Sequence, residues 1–164
     1  MSWERYRTRK LIDPSHLEKR VEALKKEKKT IATLNGSFDL LHAGHLYIIH
    51  EAAQTADLLI VALNSDLSVQ SYKGSDRPII PLKYRLEMVS ALELVDYVTW
   101  FDESDPRQLL AKIKPHVHVN GAEYGQECIE TETVRTHGGK IHLIPRIEGL
   151  ATSDIIQKIQ TVLV

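Results

Sequence analysis

Residues 30–45 read Thr30-Ile-Ala-Thr-Leu-Asn-Gly-Ser-Phe-Asp-Leu-Leu-His-Ala-Gly-His45. The first six residues are short, apolar and β-branched, which predicts a buried strand closed by Gly36. An apolar pattern then resumes at helical spacing, which predicts a helix over 43–56. A strand that runs through a glycine-containing turn into a helix is the opening unit of a parallel α/β sheet.

The rest of the chain repeats that order. Strands are predicted at 58–64, 96–101, 116–120 and 140–145, and helices at 82–93, 105–113, 126–137 and 153–162. Asp13-Pro14 supplies an N-cap and a first-turn proline for a leading helix over 14–28, with Leu17, Val21 and Leu24 on one face. Strands this short and apolar must be covered on both faces, so the expected fold is a Rossmann-like, doubly wound parallel sheet of about five strands. Right-handed crossovers then gather the strand C-terminal ends on one edge, where such sheets bind ligands.

Composition limits the function classes. The 164 residues are 43% hydrophobic and 26% charged, an ordinary globular balance. A single cysteine, Cys128, excludes an internal disulfide framework and suits a reducing compartment. The longest apolar run, Leu58 to Leu63, is too short to span a bilayer, and the basic N-terminus lacks the apolar stretch of a secretory signal. These features predict a cytoplasmic, single-domain chain with no membrane partner. Residues 1–30 carry a net charge of +5 against −6 for the remainder. Because aromatics other than Trp3 and Tyr6 do not interleave with those cations, the segment reads as a solvated helix face rather than a nucleic-acid-binding arm. Residues 1–13 are expected to form a mobile basic arm, and 14–164 the single domain.

The turn after the first strand carries the clearest chemical signal. It is neither the dinucleotide fingerprint nor a phosphate loop ending in Gly-Lys-Ser/Thr. Instead His42 and His45 lie three residues apart around Gly44, at a helix start whose free N–H groups and dipole attract an anion. From spacing alone the pair could bind an anion, be inert, or ligate a metal whose other ligands are not readable. Gly36-Ser37-Phe38-Asp39 through His45 resembles the HxGH stretch of the nucleotidyltransferase superfamily. That resemblance implies a Rossmann-like domain that transfers a nucleoside monophosphate and releases pyrophosphate, with Gly36, Ser37, Phe38, Asp39 and Gly44 at the nucleotide.

Two further segments refine this. Lys73-Gly-Ser-Asp-Arg77-Pro-Ile-Ile-Pro-Leu-Lys-Tyr-Arg85 packs four cations into thirteen residues, a charge density suited to a polyphosphate. It resembles the KGxxRPxxPxxxR segment of the heptose 1-phosphate adenylyltransferases. By that resemblance Lys73 and Arg85 join His42 and His45 as catalytic groups, while Asp39, Arg77 and Arg85 contact the acceptor. Asp39 could instead support the loop backbone. Arg146-Ile-Glu-Gly-Leu-Ala-Thr152-Ser153 looks like the RTEGxSTT motif of cytidylyltransferases and the GxSTT end of the heptose enzymes. It departs from them at Ile147 and Ala151. Arg146, Thr152 and Ser153 are thereby expected at the terminal phosphates. Gly121-Ala-Glu123-Tyr124 resembles the GGDY turn of the heptose enzymes and is expected near the base, although Asn120 replaces their usual lysine.

The family implies Mg²⁺ carried on ATP or CTP, a phosphorylated sugar or polyol as acceptor, a homodimer, and a stand-alone form of a domain that is joined to a sugar kinase in two-domain relatives. A CTP-dependent enzyme acting on glycerol 3-phosphate, and a non-catalytic nucleotide-binding regulator, remain as alternatives.

Overall fold

The structure is a computed structural model describing residues 2–145, 147 and 151–162. Five strands form one parallel sheet: β1 (Ile31–Gly36), β2 (Leu58–Asn64), β3 (Tyr97–Phe101), β4 (Val117–Gly121) and β5 (Lys140–Ile144), in the order β3-β2-β1-β4-β5. Each strand agrees with its sequence-predicted range to within a residue. β1 and β2 pair from Ile31↔Leu58 to Gly36↔Leu63.

The strands alternate in what they bury, as a pleated backbone requires. On one face Ala32, Leu34, Leu59, Val61, Leu63, Val98 and Val119 pack with Ile49 and Ala52 of α3 (Ala43–Ala53) and with Leu86 and Val89 of α5 (Leu82–Ser90). On the other, Ile31, Ile60, Ala62 and Phe101 meet Leu17, Val21 and Leu24 of α2 (Leu17–Lys26) and Leu109 and Ile113 of α6 (Arg107–Ile113). Each Val, Leu, Ile or Phe among them contributes roughly 1.5–3 kcal/mol on burial, which makes the two cores the main source of stability. The sheet is therefore doubly wound. The connection through α3 leads to one side of β1 and the connection through α6 to the other, so the chain reverses direction between β1 and β4. The crevice beyond those strand ends is where open α/β sheets hold ligands.

Three local findings differ from the sequence reading. The N-terminal segment is not a detached arm. Residues Trp3–Thr8 form a short helix, α1, capped by Ser2, and Arg7 reaches Glu87 of α5 at 2.9 Å. Lys10 and Ile12 exchange backbone hydrogen bonds with Val98, which covers the free edge of β3. Second, Asp66–Lys73 forms a helix, α4, that the sequence reading did not include; Ser65 caps it by accepting from the Ser68 amide. Third, the helix expected over 126–137 shrinks to α7 (Thr131–Thr136), because Gln126–Glu130 forms a turn tied by Thr131 Oγ1 to the Gln126 carbonyl. The last helix, α8, spans Thr152–Val162. Among the described residues no helix is long and apolar enough to cross a membrane.

His118 lies buried inside β4, with Nδ1 2.8 Å from Thr33 Oγ1 and no partner for Nε2 among the described residues. Burial drives its pKa down to about 4, against about 6.5 in an unfolded chain. Between those values the unfolded state binds the extra proton, so stability falls as pH drops from about 6.5 to 4. Urea unfolding is expected to lose about 3 kcal/mol more between pH 7 and pH 4 in the native chain than in His118→Gln. Parallel pH profiles would contradict this.

Candidate active site

Two open clefts, each of about 520 Å³, meet at the C-terminal edge of the sheet. That volume is typical of small-molecule sites. The first is lined by His42, Gly44, Arg77, Thr152 and Ser153 among others, and the second by Asn35, Gly36, Phe38, Tyr72, Tyr124 and Glu130 among others. Ser37, His45, Lys73, Gly121 and Glu123 line both and form the seam between them.

The glycine turn fixes one side of that seam. A Cβ on Gly36 would stand 3.2–3.6 Å from the ring of Phe38, so glycine lets that ring fold back beneath the turn. Phe38 is 3% exposed, with φ +47°, and packs 5.1 Å from the His45 ring. His42 occupies the N-cap position of α3, and the two imidazoles stack with centroids 3.9 Å apart. The His42 amide donates to His45 Nδ1 at 3.4 Å, which leaves Nε2 to carry the proton of a neutral ring. Burial, then the neighbouring His42 and Lys73, push the His45 pKa down to about 4. Near neutral pH His45 is therefore an uncharged N–H donor in the first turn of α3, at the helix end whose backbone N–H groups favour anions.

The cations come from the opposite side. Lys73 ends α4 with Nζ 3.3 Å from Ser37 Oγ. Its pKa is lowered by burial and then by Arg77, against the opposing pull of Asp39. Gly74, at φ +90°, turns the chain out of the helix. Arg77 reaches the first cleft while its Nε donates to Asp39 at 2.7 Å.

Two expected contact residues turn out to be internal. Asp39 is fully buried and accepts from the amides of Ile79 and Ile80 as well as from Arg77. Burial would raise its pKa, but the Ile80 and Ile79 amides and Arg77 outweigh this and hold it below the ordinary value. Of the two roles expected for it, Asp39 fills the one that supports the loop. Arg85 is also fully buried, donating to the carbonyls of Ile80, Ser37 and Asn64 and to Asp66. It lines neither cleft. A guanidinium placed this way braces the site, which corrects the expectation that it meets a phosphate. The structure brings together Gly36, Ser37, Phe38, His42, Gly44, His45, Lys73, Arg77, Gly121, Glu123, Tyr124, Thr152 and Ser153 around the two clefts. Arg146 lies outside the described residues.

The sequence reading gave no role to the floor of the second cleft. Asn35, Asn64 and Asn120 end or nearly end three adjacent strands, β1, β2 and β4, and Glu130 lies beside them. The signal was present as an asparagine closing each of three apolar strand runs.

Comparison with known proteins bears on the family and the fold. A family profile described as Cytidylyltransferase-like matches residues 33–162. The Bifunctional protein HldE of Pelobacter propionicus is 40% identical over 140 residues, covering 85% of this chain and 29% of that protein. The protein of the same name from Salmonella arizonae is 40% identical over 152 residues, 92% of this chain and 32% of that one. The chain thus spans less than a third of the length of these curated relatives. Among solved structures, the lipopolysaccharide core biosynthesis protein of Thermoplasma volcanium superposes with TM-score 0.57 at 24% identity, covering 73% of this chain and 97% of that one. Pantoate-beta-alanine ligase of Francisella tularensis superposes with TM-score 0.60 at 16% identity, covering 94% and 78%. At these identities the structural likeness is one of fold.

Removing the brace should be costly. Arg85→Ala removes the donor shared by three carbonyls and Asp66, and is expected to lower unfolding free energy by about 3 kcal/mol, the low end for breaking a buried pair because Asp66 is partly exposed and keeps the Leu82 amide. Denaturant titration checks this; a loss below about 1 kcal/mol contradicts the bracing role.

Proposed function

Because the chain belongs to the cytidylyltransferase-like family of nucleotidyltransferases, we propose that it transfers AMP from ATP to a sugar 1-phosphate, with heptose 1-phosphate as the acceptor, releasing pyrophosphate. The observation that carries this reading is the pair of clefts with a common seam of Ser37, His45 and Lys73. The nucleotide occupies the first cleft, the acceptor the second, and the α-phosphate lies at the seam. The likeness of Lys73 to Arg85 to the heptose 1-phosphate adenylyltransferases supports ATP and a heptose over CTP and a polyol.

The chemistry asks little of a base. The acceptor phosphate has a second pKa near 6 and arrives already anionic at neutral pH. One of its oxygens forms a bond to the α-phosphorus while the bond from that phosphorus to the pyrophosphate oxygen breaks. Both electrons leave with pyrophosphate, and no enzyme-bound intermediate forms.

The difficulty is bringing two anions together: at ~4 Å two unit charges repel by about 4 kcal/mol at an effective dielectric of 20. Lys73 and Arg77 offset that repulsion. The His45 Nε2–H and the first amides of α3 donate to the α-phosphoryl oxygens as charge builds on them, and His42 stacks beside His45. Thr152 and Ser153, at the start of α8, take the terminal phosphates. Glu123, at the seam, borders the base, whereas Tyr124 stands in the acceptor's cleft. Magnesium brought in with the triphosphate would neutralise part of its charge. Among the described residues no three His, Cys, Asp or Glu side chains group to hold a metal.

His45→Ala is expected to lower kcat by roughly 10²–10³, the scale for losing one transition-state donor, with a native circular dichroism spectrum. Full turnover in that variant would remove His45 from the mechanism. Pyrophosphate release should be screened over four nucleoside triphosphates and a panel of sugar and polyol phosphates. ATP with heptose 1-phosphate should give the highest kcat/KM. Preference for CTP with glycerol 3-phosphate overturns the substrate assignment, and release with no pair overturns catalysis.

A further inference from the structure

The floor of the second cleft is polar in a way that phosphate binding does not explain. Asn35, Asn64 and Asn120 form a row across the C-terminal edge of three neighbouring strands, on the sheet face shared by Thr33 and His118. Asn64 and Asn120 are buried, and so is Glu130. Among the described residues the Glu130 side chain is hydrogen-bonded only by Asn120 Nδ2, at 3.3 Å, and no cation pairs with it. Asn35 Oδ1 is shielded from solvent and has no hydrogen-bond partner there. Buried carboxylate and carbonyl oxygens keep such positions at a cost unless donors reach them.

We infer that Asn35, Asn64, Asn120 and Glu130 form a hydroxyl-reading floor that selects a polyhydroxylated sugar as the acceptor, an inference that rests on reading the second cleft as the acceptor's. The oxygens of Glu130 and Asn35 accept from sugar hydroxyls and the Asn35 amide donates to them, while Asn120 Nδ2 holds Glu130 in place and Asn64 Nδ2 donates to Ser68 Oγ. A phosphate is repelled by the Glu130 carboxylate, so the ligand enters with its charged end at Lys73, Ser37 and His45 and its neutral end on the floor. Tyr72 and Tyr124, both more than half exposed, stand at the same cleft and offer ring faces to the C–H surface of a sugar. A site that hydrogen-bonds hydroxyls discriminates far more sharply than an apolar pocket.

The test uses the full chain, with KM measured separately for ATP and for heptose 1-phosphate in the native protein, Glu130→Gln and Asn35→Ala. The second variant removes an oxygen with no partner, so it keeps the test open if Glu130→Gln does not fold. Each variant is expected to raise KM for the sugar phosphate at least tenfold while KM for ATP stays within twofold. Unchanged acceptor KM in an active, folded variant overturns the inference. So does an equal rise for ATP, which would put the nucleotide on this floor. A native chain that releases no pyrophosphate with any sugar 1-phosphate defeats the proposed function itself, and inference and function are thereby judged separately.

Discussion

A buried carboxylate and a buried guanidinium hold the walls of the site at a fixed separation. Asp39 leaves the turn after β1 and takes hold of Arg77, Ile79 and Ile80, drawing the basic loop over the strand ends. Arg85 enters from α5 and ties the carbonyls of Ser37 and Asn64, at the ends of β1 and β2, to that loop through Ile80. Neither group could stay charged in the interior alone; each is compensated by hydrogen bonds that span two segments. The seam residues Ser37 and Lys73 keep their positions because of these two anchors.

That rigidity suits the chemistry. Transfer between two phosphates is limited by charge and orientation rather than by proton removal, so the useful protein groups are donors fixed before the substrates arrive. His45 fits that role as a neutral ring, its proton held on Nε2 by the hydrogen bond at Nδ1. A cationic imidazole there would have to be desolvated beside His42 and Lys73. Burial and those neighbours keep it neutral.

Much of the fold was legible because its signals are local. Apolar runs marked every strand, and the spacing of Leu17, Val21 and Leu24 marked the helix that covers one face. The HxGH stretch and the basic segment both lie at the C-terminal edge of the sheet, where the two clefts open. What sequence could not give was the direction in which a side chain turns. Arg85 and Arg77 sit eight residues apart in one cationic segment, yet one is entirely interior and the other reaches the first cleft. The strand-end asparagines went unassigned because their meaning arises only when β2, β1 and β4 lie side by side. The N-terminal helix escaped notice because its anchors, Glu87, Leu92 and Val98, are distant in sequence.

The account stands on direct attack of one phosphate on another across the seam, with no enzyme-bound nucleotide. The stereochemical course at the α-phosphorus tests that most directly, using ATP made chiral there by sulfur and an active acceptor. A single in-line displacement predicts inversion of configuration in the nucleotide-sugar product. Retention would mean two displacements through an enzyme nucleophile, and would contradict the mechanism drawn from this geometry.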